Sequence, residues 1–293
     1  MKSHLKNAFI GSLVADAVAM PVHWYYDTSA LDRDYPKLDG YLAPRNPHTD
    51  SILWRSQYTP RNARGDILHD QAKFWGQRGI HYHQFLKAGE NTVNYQLAAE
   101  LYRLIIRESA YSPDRWLDRY IECLLTPGWH RDTYLEEYHR AFFDRHARGK
   151  KPRDCGIEDI HIGGLATVPA LVAAISEIET EPAELESVVR QHIALTHRAK
   201  VVDAAGLALV RMLRDIADGA TLEDAVTEHA TGWLGRKELN QLAELPDRAI
   251  IGRHFSPACY LPGSFAASLA LAWKYQNDFA GGIIANALCG GDS

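Results

Sequence analysis

The sequence predicts an all-α protein, and three observations carry that prediction. From residue 94 to residue 288 apolar side chains recur at helical spacing in one segment after another. Period-two runs bounded by turn residues, the mark of strands, are nearly absent. Helix-start chemistry punctuates the same region. Ser112-Pro113 and Glu181-Pro182 place proline at a first helical position, and Thr221-Leu-Glu-Asp sets an acidic group three residues after a capping hydroxyl. With 293 residues and no repeat or low-complexity stretch, the chain reads as a single compact multi-helix domain over residues 1–293.

Taken in order, residues 5–20 pair small and apolar side chains (Ala8, Phe9, Leu13, Ala17, with Gly11 and Ala15 between them), which predicts a closely packed, buried helix. Asp16 inside it is costly unless paired or hydrogen-bonded, so it is either the edge of a site or a structural anchor. Pro21 ends the run, and Val22-His23-Trp24 follows. Residues 27–75 are rich in Pro, Asn, Asp, Gly and Tyr with little periodicity, and predict a long ordered loop anchored by aromatics such as Tyr41, Trp54 and Tyr58. Gly76–Asn94 (GQRGIHYHQFLKAGENTVN) opens on glycines and histidines. It closes by feeding Glu90-Asn91-Thr92 into the helix that carries Leu101, Leu104 and Ile105. Helices are then expected over 94–109, 113–125, 131–148, 165–180, 183–195, 200–218, 221–232, 236–243, 264–275 and 279–288.

Composition narrows the partners. Hydrophobic residues at 46% and charged residues at 24% are ordinary for a soluble globular chain, and a net charge of −5 gives no reason to expect nucleic acid or an anionic membrane. Cys123, Cys155, Cys259 and Cys289 form no CxxC pair, which argues against a structural zinc site and a disulfide scaffold and fits a reducing cytoplasm. The N-terminal apolar run is broken by Asp16 and has no cleavage-site pattern, so neither a signal peptide nor a membrane span is expected.

Four stretches carry possible chemistry. Glu90, Asn91 and Thr92 offer carboxylate, amide and hydroxyl oxygens beside the positive end of a helix, suited to a cation-bound ligand or a phosphate; Asn and Thr are equally ordinary caps. Gly163-Gly164 open a helix, where free amides would meet a phosphate or the glycines would permit close packing. Thr196-His197 follows an apolar helix and by default caps it. At the C-terminus, Gly290-Gly291 present Asp292 after the last helix. His69, His81 and His83 invite a zinc reading, but no third ligand beside the His81/His83 pair is evident. Trp24, Tyr25, Tyr26 and Trp75 could stack on a base or ribose, with packing as the default.

Together these pieces resemble the ADP-ribosylglycohydrolase family: the A-D-A-x-x-M-P-V turn at 15–22, the polar triplet opening a helix, the G-G helix start, the T-H pair and the late G-G-D. The run WGQRGIHYHQFLKAGENTVN is similar to one branch, the J1-type crystallins and selenoprotein J. The resemblance implies a compact all-α fold. It also implies two magnesium ions held between an early Thr-Asp-Asp and a late Asp-x-Asp-Thr, orienting ADP-ribose while its glycosidic bond is hydrolysed. Carried over, the early triplet falls on Gly89-Glu90-Asn91 with Thr92 next, the first late Asp on Asp292, and an acidic position after the early turn on His23.

Two departures bear on the metal. One early carboxylate has become an amide and the threonine a glycine, so a standard two-magnesium centre is weakened or absent. The late motif stops after its first Asp. In the selenoprotein J branch a selenocysteine lies just beyond it, so an artificial terminus at Ser293, a truncation and an incomplete gene model are all expectations. The resemblance thus implies catalytic roles for Glu90 (water) and Asp292, metal contacts from Glu90, Asn91, Thr92 and Asp292, and a cleft completed by Asp16, His23, Gly163, Gly164, Thr196 and His197. The implied partner is an ADP-ribose-like small molecule or an ADP-ribosylated group. The alternative is a non-catalytic, crystallin-like binding or structural protein.

Overall fold

The computed structural model describes residues 2–178 and 182–292 as an assembly of α-helices, with isolated bridges and no strand among the described residues. The first half holds α1 (Lys2–Ala19), α2 (Thr28–Asp34), α3 (Val93–Glu108), α4 (Pro113–Leu125) and α5 (Glu137–Ala147). The middle holds α6 (Val168–Glu177), α7 (Pro182–Ala194), α8 (Lys200–Ala217) and α9 (Leu222–His229). The last part holds α10 (Arg236–Ala243), α11 (Asp247–Ile250), α12 (Gly263–Lys274) and α13 (Phe279–Cys289). The expected Glu181-Pro182 start places α7 at Pro182, while Glu181 and Ser293 lie outside the described residues.

α6 is the centre because it is apolar all round: Val168 and the run from Ala170 to Ile175 are buried, and a helix without a polar face must be enclosed. It packs against α1, α3, α7 and α8. By length and composition alone Lys2–Val22 would suffice to cross a membrane, against the expectation of no such window. Here α1 packs against α6, α8, α13 and α3, with Phe9, Asp16 and Ala17 on its buried side, as a core helix does.

Local sequence explains most helix starts. Ser112 Oγ accepts from Arg115 N–H ahead of Pro113, Thr221 caps Asp224 N–H at 3.1 Å while donating to its carboxylate, and Asp278 caps Gly281 N–H at 2.9 Å. Two boundaries differ from expectation. The 27–75 loop contains α2, started by Asp27 accepting from Ser29 and Ala30 N–H, besides three short 3₁₀ turns. Residues 131–136 are not helical; Thr133 N–H bonds to the Tyr82 carbonyl at 2.8 Å, so the segment runs along the histidine loop and α5 begins only at Glu137.

Eight histidines are buried: His48, His81, His83, His130, His139, His146, His192 and His197. Several are satisfied as neutral rings by carbonyls, as in His48 with His23 O, His81 with Pro21 O and His130 with Ile67 O. Burial lowers the pKa of all eight, His83, His192 and His197 to about 3. Burial raises the carboxyls of Asp16, Asp132 and Glu136.

A lowered histidine contributes stability that is complete above the unfolded value of about 6.5 and is lost as pH falls towards its folded pKa. A raised carboxyl works oppositely, losing its contribution as pH rises towards about 7. Histidines outnumber the carboxyls, so the unfolding free energy is expected to fall as pH drops from about 6.5 to 4, by about 1.4 kcal/mol per pH unit for each net proton taken up. Urea unfolding at several pH values checks this; stability that rises on acidification over that range contradicts it.

Candidate functional site

The entrance of α3 is held by two carboxylates from elsewhere in the chain. Thr92, its N-cap, makes no side-chain cap bond. Instead Asp16 accepts from Thr92 N–H (2.8 Å), Thr92 Oγ1 (2.7 Å) and Asn91 Nδ2 (2.9 Å), and Asn91 also donates to Leu13 O (2.7 Å). Asp132 accepts from Val93 N–H at 2.8 Å. Both acids meet the positive end of the helix, which partly offsets their burial. Burial still dominates, pushing each up to about 7.

From Asp132 a hydrogen-bonded chain runs outward. Its second oxygen bonds His83 Nδ1, and His83 Nε2 lies 2.8 Å from His23 Nδ1. With Asp132 ionised, His83 donates Nδ1–H to it and accepts from His23 Nδ1–H, which sets the tautomers of both rings. Burial holds His83 down at about 3, so the imidazole is neutral and the pair is a hydrogen bond rather than an ion pair. Trp24, stacked on His83 with its ring centroid at 5.7 Å, adopts a positive φ of 62°, an uncommon backbone for a bulky residue.

Glu136 follows four residues after Asp132. Its Oε1 accepts from Asn94 Nδ2 at 2.9 Å, while its Oε2 is buried with no protein hydrogen-bond partner. Burial raises its pKa, favouring the protonated acid.

The C-terminal Gly-Gly-Asp is built in by backbone geometry. Gly290 and Gly291 adopt φ of +75° and +76°, and added Cβ atoms would meet Tyr25 O at 2.4 Å and Pro257 O at 2.3 Å. This lets Gly291 pair with Tyr25 and delivers Asp292, which accepts from Tyr26 Oη (2.6 Å) and Cys259 N–H (2.7 Å).

His23, Trp24, His83, Glu136 and Asp292 line one cavity of about 410 Å³, with Asp132 behind His83 and outside the lining. Of the residues expected from sequence, it gathers Asp16, His23, Thr92, Gly163 and Asp292. Glu90 and Asn91 are not in its lining: Glu90 accepts from Lys87 N–H (2.7 Å) and pairs with Arg131, and Asn91 is turned to Asp16. Gly164 and Thr196 line a separate space of about 30 Å³, and the His197 ring packs against Gly164. Gly163 and Gly164 are tight because Tyr138, His161 and His197 press on them, which favours the packing reading. Sequence reasoning missed Asp132 and Glu136 by placing them in a helix, although Pro127-Gly128 just upstream signalled a turn.

The donor set does not fit the two-magnesium centre implied by resemblance. Glu90 is held by Lys87 N–H and Arg131, Asn91 and Thr92 by Asp16, and Asp292 by Tyr26 and Cys259, and no group of three His, Cys, Asp or Glu placed to hold a metal occurs among the described residues. The zinc reading of His69, His81 and His83 fails likewise: His69 Nε2 bonds Leu124 O, His81 Nε2 bonds Pro21 O, and His83 belongs to the Asp132 chain.

The sequence matches the ADP-ribosylglycohydrolase family over residues 1–293. No curated protein matches it. A solved structure described as an "ADP-ribosylglycohydrolase-related protein complex" is similar in fold, with a TM-score of 0.55 at 18% identity, covering 99% of this chain and 82% of that one.

The two acids near α3 differ in their expected cost on removal. Asp16→Ala strands three donors beside a buried helix end and is expected to cost about 2–4 kcal/mol. Glu90→Gln breaks a partly exposed pair with Arg131 and is expected to cost under about 1 kcal/mol. Urea midpoints of the two variants at pH 7.5 test the assignment, and a larger loss for Glu90→Gln would reverse it.

Proposed function

The chain belongs to the ADP-ribosylglycohydrolase family, and from that premise we propose that it hydrolyses an N- or O-glycosidic bond of ADP-ribose or a related nucleoside in the 410 Å³ cavity. The observation that carries this is the Asp132–His83–His23 chain ending in the same cavity as Glu136. A water needs a base to attack an anomeric carbon, and a departing base or alcohol needs a proton. His23, oriented through His83 by Asp132, takes the proton from water. Glu136, whose pKa burial raises, gives its proton to the leaving nitrogen or oxygen as the glycosidic bond breaks. Asp292 places negative charge beside the oxocarbenium-like sugar, and Trp24 and Tyr134 offer ring faces to the base. This assigns to His23 and Glu136 the work that resemblance alone would give Glu90. No step is assigned to magnesium, because the oxygens at the matching positions serve other partners.

A second reading is supported by the same departures. Similarity of WGQRGIHYHQFLKAGENTVN to the J1-crystallin and selenoprotein J branch, with Glu90 and Asn91 engaged internally, favours a non-catalytic member that keeps the cleft for binding or structure.

Chromatographic detection of free base, ribose or ADP-ribose released from a panel of nucleosides, ADP-ribose and ADP-ribosylated groups decides between them. Under the hydrolytic reading, His23→Ala and His83→Ala lower kcat/KM by about 100- to 10,000-fold, while Glu90→Gln and EDTA leave it unchanged. The rate rises with pH as Asp132 ionises near about 7. A folded protein that releases nothing from the whole panel gives the site to the non-catalytic reading.

A further inference from the structure

The cavity lacks what a diphosphate requires. Its lining supplies three carboxyl groups (Asp16, Glu136, Asp292) and three imidazoles (His23, His83, His161), with no lysine or arginine among the described residues. Backbone amides are the other common handle for phosphate, and here those at the α3 entrance, the Gly-Gly turn and Ser264 are bonded within the protein. Thr92 N–H goes to Asp16 and Val93 N–H to Asp132, so the entrance of α3 is already capped by anions. Gly163 N–H goes to His161 Nδ1 at 2.8 Å and Gly164 N–H to His161 O at 3.2 Å, so the Gly-Gly turn offers no cradle. Where α12 meets the cavity, Pro262 has no N–H and Ser264 N–H is bonded to Tyr260 O at 3.1 Å.

What the cavity does offer suits a different ligand. Ile162, Leu209 and Phe265 give an apolar wall, and Trp24 and Tyr134 give aromatic faces. Ser264 Oγ, buried without a protein partner, is a neutral handle for a sugar hydroxyl. The carboxylates of Asp292 and, above about pH 7, of Asp16 attract positive charge and repel a pyrophosphate.

We infer that this site takes an unphosphorylated N-riboside carrying a neutral or cationic base, and discriminates against the diphosphate of ADP-ribose. Calling that riboside a substrate rests on the hydrolytic reading above; the discrimination itself rests on the lining alone.

Titration calorimetry with adenosine, nicotinamide riboside and ADP-ribose tests it on the wild-type protein. Each riboside is expected to bind at least tenfold more tightly than ADP-ribose in low salt, with the gap narrowing as salt screens the repulsion. Asp292→Asn is expected to improve ADP-ribose binding relative to adenosine by several-fold. ADP-ribose binding as tightly as the ribosides, or none of the three binding at millimolar concentration, overturns the inference. Turnover is scored separately. Ribosides that bind without releasing base leave the ligand class standing and sink the hydrolytic reading. Faster release from ADP-ribose than from the ribosides does the reverse.

Discussion

Two buried carboxylates, Asp16 and Asp132, take the first amide groups of α3, and the rest of the site hangs from that pair. Asp16 comes from the inner face of α1 and Asp132 from the segment before α5, so one helix end ties three parts of the chain together. The arrangement answers two costs at once. A helix end buried without partners leaves orphan donors, and a carboxylate buried without donors is a larger penalty. Each here satisfies the other, although burial still pushes both acids up to about 7. Because Asp132 spends one oxygen on the helix and the other on His83, the same residue that closes the core also orients the histidines facing the cavity.

The helices were legible because their signals are local. Ser112-Pro113 and Thr221 announce starts within four residues, and the all-round apolar character of 168–175 marks a core helix without any knowledge of its neighbours. Asp16 was legible as a residue that must be paired, but its partners lie 75 and 76 positions away, and nothing in its own surroundings names them. Glu90 misled for the complementary reason. Its position by the helix entrance is real, yet Arg131, 41 positions on, claims its carboxylate. Asp132 and Glu136 were hidden because 131–148 has helical composition throughout, whereas the pairing of Thr133 with Tyr82 holds its first residues out of the helix. Tertiary hydrogen bonds decided each of these cases, and single-sequence propensity carries no information about them.

The departures from the family pattern at 89–91 form one consistent solution. Gly89 sits at φ +82°, a conformation side chains rarely adopt, so a threonine there would be strained. That turn sends Glu90 outward to Lys87 N–H and Arg131 and brings Asn91 inward to Asp16. At position 91 an amide is required. Its Nδ2 donates to both Leu13 O and Asp16 Oδ2, whereas an ionised aspartate could donate to neither and would set a second anion against Asp16. Asn91 is therefore matched to Asp16 as a donor to an acceptor, and need not be read as an impaired metal ligand. A chain with this pairing has closed its α3 entrance with its own side chains, and His23, Glu136 and Asp292 remain in the cavity lining as the groups to which the proposed hydrolysis is assigned.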